Sequence, residues 1–219
     1  MKIGYADLSI RPADDDVALR MIKLASRLGY KILAVEYRDN LDMGRLASVA
    51  RGEGVRIVTR VTVRGATRSD VRVALDRVWD LVGGKALVVV EAESIDAARY
   101  AGVNKRVHML RVKPGTEVFI DKSQERLFRS RGWGAFEIPL SYVSRGASIG
   151  YLYEVVDRVR RLNVRAIAVS DAVDEYTMWS PVSIIGLLHT LGLRPEQAAS
   201  WVSSSPASIV SMAIGDISV

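Results

Sequence analysis

Asp7, Glu36, Glu91 and Glu137 each lie at the end of a short apolar run, Asp121 follows another, and Ser170-Asp171 closes the last such run. Arg60 and Arg111 occupy the same kind of position. Gathered on one rim, four to six carboxylates could hold a hard cation such as magnesium through oxygen ligands. The cation would activate a water against a phosphoester. The same residues permit the opposite arrangement, in which Arg60, Arg111 and neighbouring arginines neutralise the acids. The sequence leaves both open.

Other chemistries find little support. Cysteine is absent, which removes thiol nucleophiles, disulfides and thiolate metal sites together. The two histidines, His108 and His189, are far apart, and neither stands beside a strand-end acid, so both read as packed or solvated side chains. No Gly-x-Ser-x-Gly elbow occurs, and Ser170-Asp171 has no histidine near it in sequence to serve as a base. Lys85 and Lys113 read as surface residues rather than Schiff-base lysines.

The elements that must position these side chains alternate. Strands are expected at 3–8, 31–37, 55–63, 86–91, 107–112, 135–139 and 166–170, with 117–120 a short strand or turn. Between them run helices at 14–28, 42–52, 69–82, 94–101, 124–131 and 148–162, and three more follow at 181–191, 195–203 and 206–214. Val17, Met21, Leu24 and Leu28 form the apolar face of the first helix. Ser69, Ser94 and Ser180 stand as N-caps, the last followed by Pro181 at the first helical position. Strands separated by helices demand a parallel, helix-covered sheet. Seven or eight such strands imply a slightly shortened TIM-like (β/α) barrel spanning 1–219 as one domain. An open doubly wound sheet is the rival, but no Gly-x-Gly-x-x-Gly follows a strand and no Walker-type phosphate loop is present.

No apolar run approaches the roughly 20 residues of a membrane span, and Asp7 interrupts the N-terminal region where a signal peptide keeps its apolar core. A cytoplasmic location without membrane attachment is the expectation. Thirty-one basic residues oppose 25 acidic ones, and seven lysines stand against 24 arginines. The planar guanidinium suits phosphate recognition, although coding bias produces the same composition. Arg56, Arg60, Arg64 and Arg68 flank the third strand. Arg99, Lys105, Arg106, Arg111 and Lys113 bracket the fifth. Arg126, Arg129 and Arg131 end one helix, and Arg158, Arg160, Arg161 and Arg165 end another, where cations complement the dipole. Aromatic residues do not interleave with arginine as on a stacking platform, so a backbone-reading surface for structured RNA fits best.

A diffuse pattern runs along most of the chain: Tyr5-Ala6-Asp7-Leu8, Ile10-Arg11, Val90-Glu91, Ala98-Arg99-Tyr100, Phe119-Ile120-Asp121 and Phe136-Glu137-Ile138-Pro139-Leu140. Its most specific part is Ser170-Asp171-Ala172, then Ser180-Pro181, then Gly192-Leu193 through Ser205-Pro206. In these residues the chain resembles the archaeal ribonuclease P protein component 3, related to the thirty-kilodalton subunit of eukaryotic ribonuclease P. Trp179 stands where the family has an arginine, and Ser183 where it has an acid, so no role transfers at those two positions.

The resemblance implies a barrel related to metal-dependent phosphoesterases but not itself catalytic. The active site would belong to an RNA that removes the 5′ leader of precursor tRNA with magnesium, and the protein would bind no cofactor. A small ferredoxin-like subunit, component 2, would be the protein partner. Arg99 is the leading candidate for RNA contact, followed by Arg60, Arg64, Arg68, Arg111 and Lys113. The alternative is a free-standing metal-dependent phosphoesterase using Asp7, Glu36, Glu91, Asp121 and Glu137. A barrel that binds only protein is the third reading.

Overall fold

The computed structural model describes residues 4–215. Seven parallel strands form one sheet in chain order: β1 (Tyr5–Ile10), β2 (Tyr30–Glu36), β3 (Arg56–Gly65), β4 (Leu87–Ala92), β5 (Met109–Arg111), β6 (Ala135–Pro139) and β7 (Ala166–Val169). Residue Ile3 of the expected first strand lies outside the described residues. Strict sequential order with helical crossovers curls the sheet into a barrel.

Among the described residues there is no eighth strand. Trp201 and Val202 fill that place: the Trp201 carbonyl accepts from Ala168 N–H at 3.1 Å, and the Val202 carbonyl accepts from Ala6 N–H at 2.8 Å. Above them β1 meets the segment after β7 directly, through the Ile10–Ala172 bridge. One short stretch thus satisfies strand edges that would otherwise stay open.

Helices α1 (Asp15–Arg27), α2 (Met43–Gly52), α3 (Arg68–Val82), α4 (Ile95–Val103), α5 (Lys122–Arg131), α6 (Ser141–Ser144), α7 (Ile149–Leu162), α8 (Pro181–Thr190) and α9 (Pro195–Ser200) follow the strands in turn. Helix α10 (Ser204–Ile214) inserts Ile209 and Val210 among the inward side chains Ala6, Ile32, Leu87, Met109 and Ile167, which plugs the lower end of the barrel. A second apolar layer packs the outer faces of β3–β7 on the helices, with Val88, Val90, Phe136, Leu152 and Val156 at its centre.

Two expectations need local correction, and a third, the alternative at 117–120, resolves to a turn. Helix α1 buries Ala18, Met21, Ile22 and Ala25, so its inner face is rotated from the Val17–Leu24–Leu28 stripe. Thr67, not Ser69, caps α3, because its side chain and that of Asp70 close a reciprocal capping box. Residues 117–119 form a 3₁₀ turn. Ser94, Ser148 and Ser180 cap their helices by accepting backbone hydrogen bonds.

Candidate nucleic-acid interface

Strand parity aims Glu36, Arg60, Arg111 and Glu137 into the upper end of the barrel. The register sets Glu36 beside Arg60, and Arg111 between Glu91 and Glu137. Opposite charges therefore meet on neighbouring strands. A bulge in β1 supplies another polar group. Three residues advance from Asp7 to Ile10 while β2 advances two, from Leu33 to Val35. The extra residue turns Ser9 into the rim.

These groups form a closed network. Arg60, fully buried, donates to both Glu137 oxygens (2.9 Å at Oε1), to Glu36 at 2.9 Å and to the Leu8 carbonyl at 2.6 Å. Arg111, 2% exposed, donates to Glu137 at 2.6 Å, to Asp171 at 2.7 Å and to Ser9 at 3.0 Å. Asp171 also accepts from Arg11 and Ser141. It holds a left-handed backbone, φ 54°, which aspartate tolerates better than most residues. Thr62 donates its backbone N–H and its hydroxyl to Glu36.

Burial would raise the Glu137 carboxyl, but Arg111 and Arg60 overcome it and hold the acid below its usual range. Burial likewise opposes ionisation of Asp171, yet Arg111 and Arg11 bring it down to about 2. Arg11, Arg60 and Arg111 balance Glu36, Glu137 and Asp171, and Glu91, 4.0 Å from Arg111, is met from outside by Arg64 and Lys113. A hard cation needs carboxylate lone pairs free of competing donors, and these are committed to arginine. No group of three or more acids or histidines placed to bind a metal exists among the described residues.

The five acids of the alternative metal reading are accordingly dispersed. Glu36 and Glu137 belong to the network. Glu91 faces Arg64 at 3.5 Å and Lys113 at 3.4 Å. Asp7 sits apart, between β1 and Ser170, accepting from the Ser9 and Ser170 backbones and the Ser170 hydroxyl. Burial pushes its carboxyl up to about 7. Asp121 is no strand-end residue at all: it caps α5 by accepting from Gln124 N–H at 2.8 Å.

The six cations expected at RNA separate in the same way. Arg60 and Arg111 are inside the barrel and spend their donors there, which removes them as phosphate contacts. Arg64 and Lys113 stand on the outer rim around Glu91. Arg68 and Arg99 are brought together in a groove of about 310 Å³ between α3, α4 and α5, with Tyr100, Ser123 and Leu127. Arg68 is exposed, forms no ion pair among the described residues, and lies 5.2 Å from the Tyr100 ring centre. Arg99 bonds Asp121 and, at 2.9 Å, Gln124. Asp121 thus caps α5 and orients the arginine of α4. Ser9, Thr62 and Ser141 carry no sequence signal for their part in the network, since serine and threonine acquire such roles only from their neighbours in space.

His108 precedes β5 rather than lying within it. Its Nδ1 accepts from Val88 N–H at 2.9 Å, so it prolongs the β4–β5 ladder as a neutral ring. Burial, with Arg131 nearby, lowers it to about 4. Trp179 lends its carbonyl to the Tyr30 hydroxyl, and Ser183 is an exposed residue in the first turn of α8. No described helix is long and apolar enough to cross a membrane.

Known proteins share both the sequence pattern and the architecture. Ribonuclease P protein component 3 of Aeropyrum pernix is 31% identical over 196 residues, covering 87% of this chain and 89% of that protein. A chain in the cryo-EM structure of archaeal ribonuclease P with mature tRNA superposes with a TM-score of 0.75 at 16% identity, over 93% of this chain and 89% of that one. A Xaa-Pro dipeptidase with bound methionine superposes at 0.58 and 11% identity, over 96% and 75%, a likeness of fold alone. The family model described as RNase P subunit p30 matches residues 4–215, and the chain belongs to that family.

Proposed function

We propose that this chain is a non-catalytic protein subunit of ribonuclease P, which binds and stabilises the RNA that removes the 5′ leader of precursor tRNA. Commitment of the rim acids to buried arginines carries this reading. The barrel interior offers no free carboxylate set for a cation, while outside it Arg68 forms no ion pair among the described residues and Arg64, Arg99 and Lys113 pair only at the surface. Arg68 and Arg99 on the α3–α4–α5 groove would meet RNA phosphates, with Arg64 and Lys113 contributing from the rim. Such contacts displace condensed counterions and read backbone shape rather than base sequence. Magnesium would serve the RNA, the protein partner would be the small ferredoxin-like subunit, and the complex would work in the cytoplasm.

The test is precursor-tRNA cleavage by reconstituted ribonuclease P RNA with the small subunit, with and without this protein, at low and high magnesium. A lowered magnesium requirement, without cleavage by the protein alone, is the expected result. Phosphoester cleavage by the isolated protein, abolished by chelation, would overturn the reading.

A further inference from the structure

Helix α5 exposes Lys122, Arg126 and Arg129 at intervals of four and three residues. A rise of about 1.5 Å per residue spreads them over about 10 Å along one face. The helix's acid, Glu125, lies on the flank and is taken by Arg129. Lys122 and Arg126 form no ion pair among the described residues. On one side of α5 runs the Arg68–Arg99 groove. On the other a larger groove, about 490 Å³, opens between α5, the end of α7 and α9, lined by Arg129, Trp133, Arg160, Arg165, Gln197 and Ser200. Arg165 Nη1 is buried there with no hydrogen-bond partner, and an unsatisfied charged donor is costly to leave buried.

Helix-dipole compensation explains only part of this charge. It accounts for Arg129 and Arg160, which sit in last turns and pair with Glu125 and Asp157 of their own helices. Lys122 is the first residue of α5, where the dipole disfavours a cation. Arg165 lies beyond the end of α7.

We infer that an RNA strand crosses α5, its phosphates met by Lys122, Arg126 and Arg129, and enters the second groove against Arg165. This inference rests on the reading that the chain meets RNA, and it extends that contact from one groove to a track joining two. The charge in the groove lining is predominantly positive, with Arg129, Arg160 and Arg165 against the single acid Glu125, which favours a polyanion over an apolar protein segment.

The absence of cysteine permits a direct test. Ser130→Cys, exposed on α5, would carry a tethered iron chelate, with Ser48→Cys on α2 as the control. Hydroxyl radicals should cut a ribonuclease P RNA transcript from position 130 and not from 48. In parallel, a Lys122→Ala, Arg126→Ala, Arg165→Ala variant should lower the slope of log affinity against log salt by about two to three, at about 0.7 to 0.9 per lost phosphate contact. Arg165→Lys should restore part of it, and an unchanged melting temperature would show that the fold is intact. No cutting from 130, with the slope lowered only by Arg68→Ala and Arg99→Ala, would overturn the track and leave the RNA reading standing. A slope altered by neither set would overturn both. Loss of the small subunit with an unaltered RNA slope would make this face a protein interface and overturn the inference.

Discussion

Arg60 on β3 and Glu137 on β6 meet across the barrel interior through two parallel hydrogen bonds, although β4 and β5 separate their strands in the sheet. With Arg111 and Asp171, this pair turns a ring of strand-end charges into a sealed polar layer above the apolar core. The layer lies where a barrel enzyme keeps its reacting groups.

Glu137→Gln is expected to destabilise the fold by about 3 to 5 kcal/mol, because it leaves two buried guanidinium groups short of charge. Glu36 is 15% exposed and water can replace part of its role, so Glu36→Gln should cost about 1 to 2 kcal/mol. Urea unfolding midpoints at constant slope check the order. Equal losses would mean that the network is not centred on Glu137.

Asp7 and His108 should give opposing pH dependences. Burial raises the Asp7 carboxyl from 3.8 to about 7. Its contribution is fully present below pH 4 and is lost as pH rises toward 7, since the unfolded chain ionises first. Burial lowers His108 from 6.5 to about 4, so its contribution is present above pH 6.5 and is lost as pH falls toward 4. Asp7→Asn should match the wild type near pH 4 and exceed it by a few kcal/mol at pH 8, at about 1.4 kcal/mol per pKa unit. Between pH 4 and 6.5 the variant should show the His108 slope unopposed. Denaturant unfolding across pH 4–8 measures both.

Gly102→Ala should disrupt the α4–α5 contact. A Cβ at this position would lie 2.2 Å from Gln124 Nε2 and 3.0 Å from a Leu127 methyl. Gln124 is fully buried and accepts from Arg99. We expect a loss of about 1 to 3 kcal/mol from overpacking, together with weaker RNA binding as Arg99 loses its support. A melting curve and a binding isotherm on the same preparation would show whether the two losses coincide.

Arg99→Ala should weaken RNA binding and reduce the salt slope by about one. Asp121→Asn should act in the opposite direction. Asparagine still caps α5 but no longer neutralises Arg99, so RNA affinity should rise at low salt. If both variants reduce affinity, Asp121 serves to position Arg99 rather than to compete with the phosphate.

Strand order, the helices between strands and the caps at Ser94 and Ser180 are legible in the chain because each depends on near neighbours in sequence. Thr67 and Ser69, two residues apart, offer the same local capping chemistry, and only the helix's actual start separates them. The carboxylates and arginines of the rim were identifiable as strand-end residues, but their use was not. Arg60 and Arg99 look alike in sequence; one lies inside the barrel and the other lines an outer groove.

The sequence alone determined the parallel barrel, the lack of thiol chemistry and the family, since these follow from periodicity, composition and linear motifs. Tertiary structure decided the rest. It set Trp201 and Val202 in the eighth strand's place and turned Ser9 inward through a bulge. It also paired Glu36, Glu137 and Asp171 with guanidinium groups from other strands and loops, and left Asp7 to serine donors. Those outcomes depend on strand parity, register and closure, which bring together residues far apart in the chain, such as Arg11 and Asp171, 160 positions apart. No local pattern encodes which partner a buried charge will find.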